Sequence, residues 1–125
     1  MIEQYATDCN ECGIDKKTKS KLCTFCITQK VFKGKWKLLI YWHLHDGTKR
    51  FNELSRLIPS TQTTLSRQLK ELVIDGIINR KVFNQIPPKV EYSLTPLGKS
   101  FENIMNAMDK FGIDYLKSNK ENKLI

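Results

Sequence analysis

The sequence has no apolar run long enough to cross a bilayer, which takes roughly 18 to 20 residues. Its first residues, Met1 to Gln4, do not form the basic segment and apolar stretch of a secretory signal. Glycine and proline are also scarce, with 6 and 4 copies in 125 residues, whereas hydrophobic residues make up 40%. This balance excludes a collagen-like or largely disordered chain. We therefore expect one small globular domain, without a membrane segment, in the cytoplasm.

Acidic residues are too few to balance the basic ones. The chain contains 21 Lys and Arg against 13 Asp and Glu, which gives a formal net charge of +8. A basic surface attracts polyanions, and nucleic acid is the first such partner to consider. Charge alone does not separate DNA from RNA, so the arrangement of the predicted elements has to decide between them.

Apolar spacing divides the chain into an arm, a domain and a tail. Residues 1–22 are rich in lysine and have no apolar period of 2 or 3.6, which predicts an irregular N-terminal arm. Residues 23–117 carry the periodic segments and form the predicted domain, and the polar tail 118–125 is expected to fray. Helices are predicted at 25–32, 36–45, 51–58, 61–74 and 96–117, and strands at 48–50, 77–83 and 90–94.

The order of these elements is that of a winged helix-turn-helix. Pro59 ends the helix 51–58, and Ser60 or Thr61 can cap the next helix. The first of these helices braces the second, whose polar face is then free to enter a major groove of DNA. The hairpin 77–94 is the predicted wing, which can follow adjacent phosphates or reach a minor groove. The fold class is therefore mainly α with a small β-hairpin wing, an α+β architecture.

The candidate DNA contacts lie on the second of these helices and on the wing. Arg67 and Lys70 supply positive charge on the polar helix face, and Arg80 and Lys81 supply it on the first wing strand. Guanidinium, ammonium, amide and hydroxyl groups are the side-chain groups that bind phosphates and base edges. The predicted set is Thr61, Gln62, Thr63, Ser66, Arg67, Lys70, Arg80, Lys81, Asn84, Gln85 and Lys89.

Short blocks between about residues 23 and 99 resemble a known family. They include Lys33-Gly34-Lys35-Trp36, Arg50-Phe51-Asn52-Glu53-Leu54, Asp75-Gly76-Ile77-Ile78 and Pro87-Pro88-Lys89-Val90-Glu91-Tyr92-Ser93-Leu94-Thr95-Pro96-Leu97-Gly98. In this order they are similar to the HxlR-type winged-helix transcription regulators, which are MarR-like proteins of bacteria and archaea. The resemblance implies a sequence-specific regulator and not an enzyme. It also implies a homodimer, paired through its first and last helices on an inverted-repeat operator, and in many members a cysteine that answers to oxidants or electrophiles.

All four cysteines lie in the first quarter of the chain, as the pairs Cys9-x-x-Cys12 and Cys23-x-x-Cys26. This spacing is typical of a four-cysteine zinc site, and one zinc per chain would order an arm that lacks apolar residues. Redox sensing is the alternative. Cys23 is expected at the start of the first helix, near lysines, where the helix dipole and positive charge favour the reactive thiolate. Cys23 also matches the single N-terminal cysteine of the resembled family, and four unbound thiols are the remaining interpretation.

Two further function classes were compared with DNA binding. A small thiol oxidoreductase is disfavoured because neither cysteine pair follows a buried strand in a βαβ unit. A zinc-stabilised RNA-binding module is disfavoured because Trp36, Trp42, Phe51 and Tyr92 fall on apolar stripes or on the hairpin, which leaves no exposed stacking platform. Met105 and Met108 extend the apolar stripe of the last helix beyond what one small core needs, which supports a homodimer. A small-molecule or oxidant effector fits the same interpretation.

Overall fold

The structure, a computed structural model, describes the backbone of residues 16–121 and the side chains of residues 24–119. Its elements follow the predicted order of helices, short strand, helix-turn-helix, hairpin and last helix. Their bounds are α1 Lys16–Val31, α2 Lys37–His45, β1 Lys49–Arg50, α3 Phe51–Leu57, α4 Gln62–Ile74, β2 Ile78–Phe83, β3 Lys89–Leu94, α5 Pro96–Lys99 and α6 Glu102–Glu121.

The three strands form one antiparallel sheet in the order β1-β3-β2. Strands β2 and β3 pair along their full length, from Ile78 opposite Leu94 to Phe83 opposite Lys89. Strand β1 pairs with the other edge of β3, with Lys49 opposite Tyr92. The predicted winged helix-turn-helix is confirmed: α3 and α4 are the helix-turn-helix, and β2 with β3 is the wing.

The core lies where the apolar stripes of α2, α3 and α4 meet one face of the sheet. Aromatic rings extend it toward the last helix, since the ring of Phe32 lies 4.1 Å from that of Phe101 and 5.9 Å from that of Tyr41, centroid to centroid. Burial of this apolar surface is the main force that fixes the helices on the sheet. The buried residues include Ile40, Tyr41, Leu44, Leu54, Ile58, Leu65, Leu69, Leu72, Ile78 and Tyr92.

The first and last helices are longer than the sequence pattern predicts. Helix α1 begins at Lys16, so the prediction of an irregular arm is wrong for residues 16–22. Lysine is a good helix former and this segment contains neither glycine nor proline, so a helix extends here without an apolar stripe. Helix α6 likewise continues through the predicted tail to Glu121. The rest of the predicted arm, residues 1–15, lies outside the described residues.

Two smaller features also differ from the prediction. The predicted helix 96–117 is two helices, because α5 ends at Lys99 and α6 begins at Glu102. Trp42, expected in the core, is 43% exposed. Trp42 is exposed because the side of α2 that carries it is not the side that packs on the sheet. Its ring lies 5.1 Å from that of His45 on the same helix.

Gly98 marks a close approach between α5 and the start of the wing. A Cβ at this position would overlap the carbonyl oxygen of Ile77. The Gly98 carbonyl accepts a hydrogen bond from the Tyr41 hydroxyl at 2.6 Å, and its N–H donates to Thr95 Oγ1 at 2.9 Å. Burial, followed by the Glu102 carboxylate, raises the pKa of Tyr41, so the hydroxyl keeps the proton that it donates. This contact ties α2 to the end of the wing.

Gly98→Ala should therefore lower the free energy of unfolding by about 1–3 kcal/mol, the usual effect of forcing an extra carbon into a packed site. Urea unfolding at matched protein concentration measures it. Lys99→Ala, on the exposed side of the same short helix, is the control and should change stability by less than about 0.5 kcal/mol. Equal stability of the two variants would contradict the close approach.

Candidate nucleic-acid interface

Helix α4 is the candidate recognition helix, and its first turn is fixed by a side-chain cap. Thr61 has an extended backbone, and its Oγ1 accepts the Thr64 N–H at 3.1 Å, as an N-cap should. The same hydroxyl donates to Thr64 Oγ1 at 2.9 Å. Thr61 was predicted both as a cap and as a DNA contact, and the structure places its oxygen in the cap while leaving the residue exposed.

One side of α4 is buried and the other is bare. Leu65, Leu69 and Leu72 are at most 1% exposed. Thr63, Ser66, Arg67 and Lys70 recur at helical spacing on the opposite side, and all four are exposed. Gln62 is exposed at the first position of the helix. The predicted polar stripe therefore stands clear of the described protein, at the helix end that contacts bases in helix-turn-helix proteins.

Polar contacts from two buried side chains, Gln68 and Lys37, fasten α4 to the start of α2. The Gln68 side chain is buried, and its Oε1 accepts the backbone N–H of Trp36 at 3.1 Å. Lys37 is buried beside it, and its ammonium lies 3.2 Å from Glu71 Oε1. A hydrogen bond holds a direction as well as a distance, so these contacts set the orientation of α4 more sharply than leucine packing alone.

Sequence reasoning missed Gln68, Lys37 and Glu71. A signal for one of them was available, because Gln68 falls on the apolar stripe between Leu65 and Leu72, where a polar side chain needs a buried partner. Its fit is close: a Cβ on Gly34 would come within 3.2 Å of the Gln68 amide carbon, and Gly34 has a φ of +134°. The partner itself, a backbone group 32 residues away, is visible only in the folded chain.

The two faces of the wing carry different charges because successive strand residues point to opposite sides. Arg80 is paired in register with Tyr92 on the face that turns toward α4. Lys81, paired with Glu91, is on the outer face. There the Lys81 ammonium lies 4.9 Å from the centre of the Phe83 ring. Arg80 and Lys81 are both exposed, but Arg80 faces the space between the wing and α4, whereas Lys81 faces away from α4.

Lys89 is less available than the sequence suggests. Its ammonium lies 3.1 Å from Glu91 Oε2 and 4.7 Å from the centre of the Phe83 ring, and its side chain is only 22% exposed. A cation that is already paired gains less from a phosphate than a bare one, because the existing ion pair has to be broken or shared. Arg80 is exposed and is therefore the more available of these two cations.

A concave groove of about 840 Å³ runs between α4 and the wing. It brings together five of the predicted contacts, Ser66, Lys70, Arg80, Gln85 and Lys89. Arg50 adds a further cation, and none of the lining residues is acidic. The groove therefore has the positive character that a phosphate backbone requires. It is lined by Arg50, Phe51, Asn52, Ser66, Lys70, Val73, Ile74, Arg80, Gln85, Pro87, Pro88, Lys89, Val90 and Tyr92.

The remaining predicted contacts surround this groove without lining it. Thr61, Gln62, Thr63 and Arg67 belong to the first two turns of α4 and its cap, while Lys81 lies on the outer face of the wing. Asn84, in the turn between β2 and β3, is exposed with Gln85 at the end of the wing. The structure thus arranges the predicted set as a helix face, a groove and a wing end.

Of the four cysteines, the structure describes the backbone of Cys23 and Cys26. Cys9 and Cys12 lie outside the described residues. Cys23 lies in the middle of α1, seven residues after Lys16, and not at the helix start. The prediction that the helix dipole stabilises the Cys23 thiolate is therefore wrong, because the effect of the dipole fades within the first turn of a helix.

The described part of the chain contains neither a clustered metal site nor a membrane-spanning helix. Within it, no three His, Cys, Asp or Glu side chains come together as a metal site would require. No helix among these residues is both long and apolar enough to span a bilayer.

The last helix exposes an apolar stripe. Ile104, Met108, Phe111 and Tyr115 recur at helical spacing, and each is between 46% and 70% exposed. The rings of Phe111 and Tyr115 lie 6.4 Å apart, centroid to centroid. On the first helix, Phe25 is 65% exposed. This is more apolar surface than a helix of a small monomer usually leaves in water.

Comparison with known proteins finds a matching family profile and similar curated sequences. The profile described as HxlR-like helix-turn-helix matches residues 31–120. The HTH-type transcriptional regulator YybR of Bacillus subtilis is 47% identical over 107 residues, which cover 82% of this chain and 86% of YybR.

Solved structures agree with that match. The redox regulator HypR in its reduced form superposes with a TM-score of 0.70 at 47% identity, covering 78% of this chain and 93% of HypR. A MarR-family transcriptional regulator from Enterococcus faecalis superposes with a TM-score of 0.71 at 32% identity, covering 90% of this chain and 99% of the other. The family consists of regulators and is not a class of enzymes. The chain therefore belongs to the HxlR-like helix-turn-helix family and is a winged-helix transcriptional regulator.

Proposed function

We propose that this regulator binds duplex DNA through α4 in a major groove and through the wing beside it. The observation that carries the proposal is the continuous cationic surface formed by the bare stripe of α4 and the groove between α4 and the wing. Arg67 and Thr63 face outward where bases are read, and Lys70, Arg50 and Arg80 stand where a phosphate backbone passes. The DNA of bacteria and archaea lies in the cytoplasm, so we propose that compartment for this regulator.

Binding to duplex DNA should weaken steeply with salt. If a dimer neutralises six to ten phosphates, log K plotted against log salt should have a slope of about −5 to −9. Fluorescence anisotropy with a duplex that the wild type selects from a randomised library measures this slope. Structured RNA of the same length is the competitor, and a preference for it would favour the RNA-binding module. A slope near zero would contradict DNA binding.

Arg67 and Arg80 should have separable roles. Arg67→Ala removes a base-reading group, so discrimination between the selected duplex and single-base variants should fall by about 1–3 kcal/mol at the affected position. Arg80→Ala removes a phosphate ligand, so it should weaken all duplexes alike and flatten the salt slope by about one unit per contact. Binding assays against a panel of duplexes distinguish the two effects.

Lys89→Ala is the matched control for Arg80→Ala, since the Lys89 ammonium is already paired with Glu91. Its effect on the slope should be smaller. Identical behaviour of the Arg67 and Arg80 variants would refute the assignment of separate roles to α4 and the wing.

We infer further that the DNA-binding form is a homodimer that pairs through α1 and α6. The exposed stripe of α6 and Phe25 of α1 supply the apolar surface for a second copy. A two-fold pair would set two copies of α4 about one helical turn of DNA apart, roughly 34 Å, on an inverted repeat. This arrangement explains why apolar residues stay exposed on helices that do not face the proposed DNA.

Phe111→Lys should dissociate the dimer, because it places a charge in the centre of the apolar stripe. Sedimentation velocity should then show a monomer at micromolar concentration. Asn106→Lys adds the same charge on the opposite side of α6 and should leave the dimer intact. If both variants sediment as the wild type does, α6 is not the interface.

The N-terminal cysteines are proposed to sense oxidants or electrophiles. The similarity to HypR, a redox regulator, supports this role. Cys23 is the proposed reactive thiol. Lys19 and Lys21 are close to it in the sequence, and positive charge near a cysteine favours the thiolate. A four-cysteine zinc site is the second candidate, since the Cys-x-x-Cys spacing of both pairs is typical of zinc ligands.

Thiol reactivity and metal content separate these candidates. For a redox sensor, we expect no stoichiometric zinc in untagged protein purified under reducing conditions, and one fast thiol that is lost in Cys23→Ser. Diamide should change the affinity of the wild type for its duplex by roughly 5- to 150-fold, the usual range of coupling between two sites. Cys26→Ser, on the same helix, should keep this response.

The opposite result identifies zinc. Elemental analysis would then find about one zinc per chain, with thiols that become reactive only after a chelator is added.

A further inference from the structure

The tip of the wing, residues 84–88, presents an apolar side chain that the fold does not use. Ile86 is fully exposed, at 101% of its reference area, and Gln85, Pro87 and Pro88 beside it are exposed as well. Among the described residues, neither the core nor the side chains packed against it include Ile86. A single exposed isoleucine is common on protein surfaces, so its meaning depends on what surrounds it.

The surroundings of the tip are cationic and continuous with the proposed DNA surface. Gln85, Pro87 and Pro88 line the groove that also contains Arg80 and Lys70. On the outer face, Lys81 stands over the Phe83 ring just before the tip. No acidic residue occurs between Lys81 and Lys89. Glu91 is paired with Lys89, but Lys70, Arg80 and Lys81 remain. Ile86 therefore projects from surroundings of net positive charge, which attract the phosphates on both sides of a DNA groove.

The tip is also stiff. The full pairing of β2 with β3 ends at Phe83 opposite Lys89, so only five residues close the hairpin. The Gln85 N–H donates to the Phe83 carbonyl at 3.0 Å, and two consecutive prolines restrict the backbone after Ile86. An apolar group on a stiff loop loses little conformational entropy when it is inserted into a partner.

We propose that Ile86, supported by Pro87, is a wedge that enters the minor groove of DNA and opens a base step, which bends the duplex. Isoleucine and proline are among the residues that proteins insert in this way, and the flanking cations hold the adjacent phosphates. The inference rests on the DNA binding proposed above. It adds a contact that reads the deformability of the DNA and carries no charge of its own.

Bending and affinity test the wedge in the full-length protein, with a version of the selected duplex of about 22 base pairs that is labelled at both ends for energy transfer. Its ends lie roughly 75 Å apart when it is straight, a separation that energy transfer can measure. The wild type should bring the ends closer. Ile86→Thr should remove most of this bend and weaken binding roughly tenfold or more, because one isoleucine side chain is no longer buried. The slope of log K against log salt should stay unchanged, since no cation is removed. Ile86→Leu, which keeps an apolar side chain, should restore the bend.

Val82→Thr is the matched control. Val82 is also an exposed apolar residue of the wing, at 51%, but it lies on strand β2 and not at the tip. It should bind and bend DNA as the wild type does. A bend and an affinity within twofold of the wild type in Ile86→Thr would overturn the wedge. A wild type that binds with a steep salt slope but leaves the duplex straight would overturn the wedge alone, whereas failure to bind duplex DNA would overturn the proposed function with it.

Discussion

The burial of one side of α4 is the constraint on which the rest of the structure depends. Leu65, Leu69 and Leu72 remove that side from water, and the opposite side is left bare as a consequence. A helix packed on both sides could not enter a DNA groove. A helix packed on neither side would have no fixed orientation in the protein. Gln68 sharpens the arrangement, since its hydrogen bond to the Trp36 backbone fixes the helix against sliding along its apolar neighbours.

The wing depends on the same core through strand β3, which pairs with β1 on one edge and β2 on the other. The hydrogen bond between Tyr41 and Gly98 joins the end of that sheet to α2, and Gln68 joins α4 to the start of the same helix. The wing and the recognition helix are therefore both fastened to α2. The concave cationic groove between them follows from this shared support. A partner that touches both surfaces therefore meets them at a fixed separation, which a flexible basic tail cannot provide.

The proposed sensing and pairing use α1 and α6, two helices that contribute no residue to the lining of the groove. Helix α1 carries Cys23 and Cys26, and its C-terminal end adjoins Phe32, which packs on Tyr41 and Phe101. The turn after it contains Gly34, which leaves no free room for a Cβ beside the Gln68 side chain, and Trp36, whose N–H donates to Gln68 Oε1. A displacement of α1 by cysteine chemistry has a short physical route to the recognition helix, through contacts that are packed or hydrogen bonded.

The sequence by itself determined the element order, the winged-helix class, the family and the polar stripe of α4, because periodicity, prolines and caps act over a few neighbouring residues. Only the tertiary structure decided which charges are available: Lys89 is paired with Glu91, while Arg80 faces the groove. The tertiary structure also shows that Cys23 is not at a helix start. Helix α1 begins earlier, at Lys16, in a segment that has no apolar pattern from which the helix could be predicted. Partners such as Trp36 for Gln68 lie far apart in the chain, and a local pattern carries no information about them.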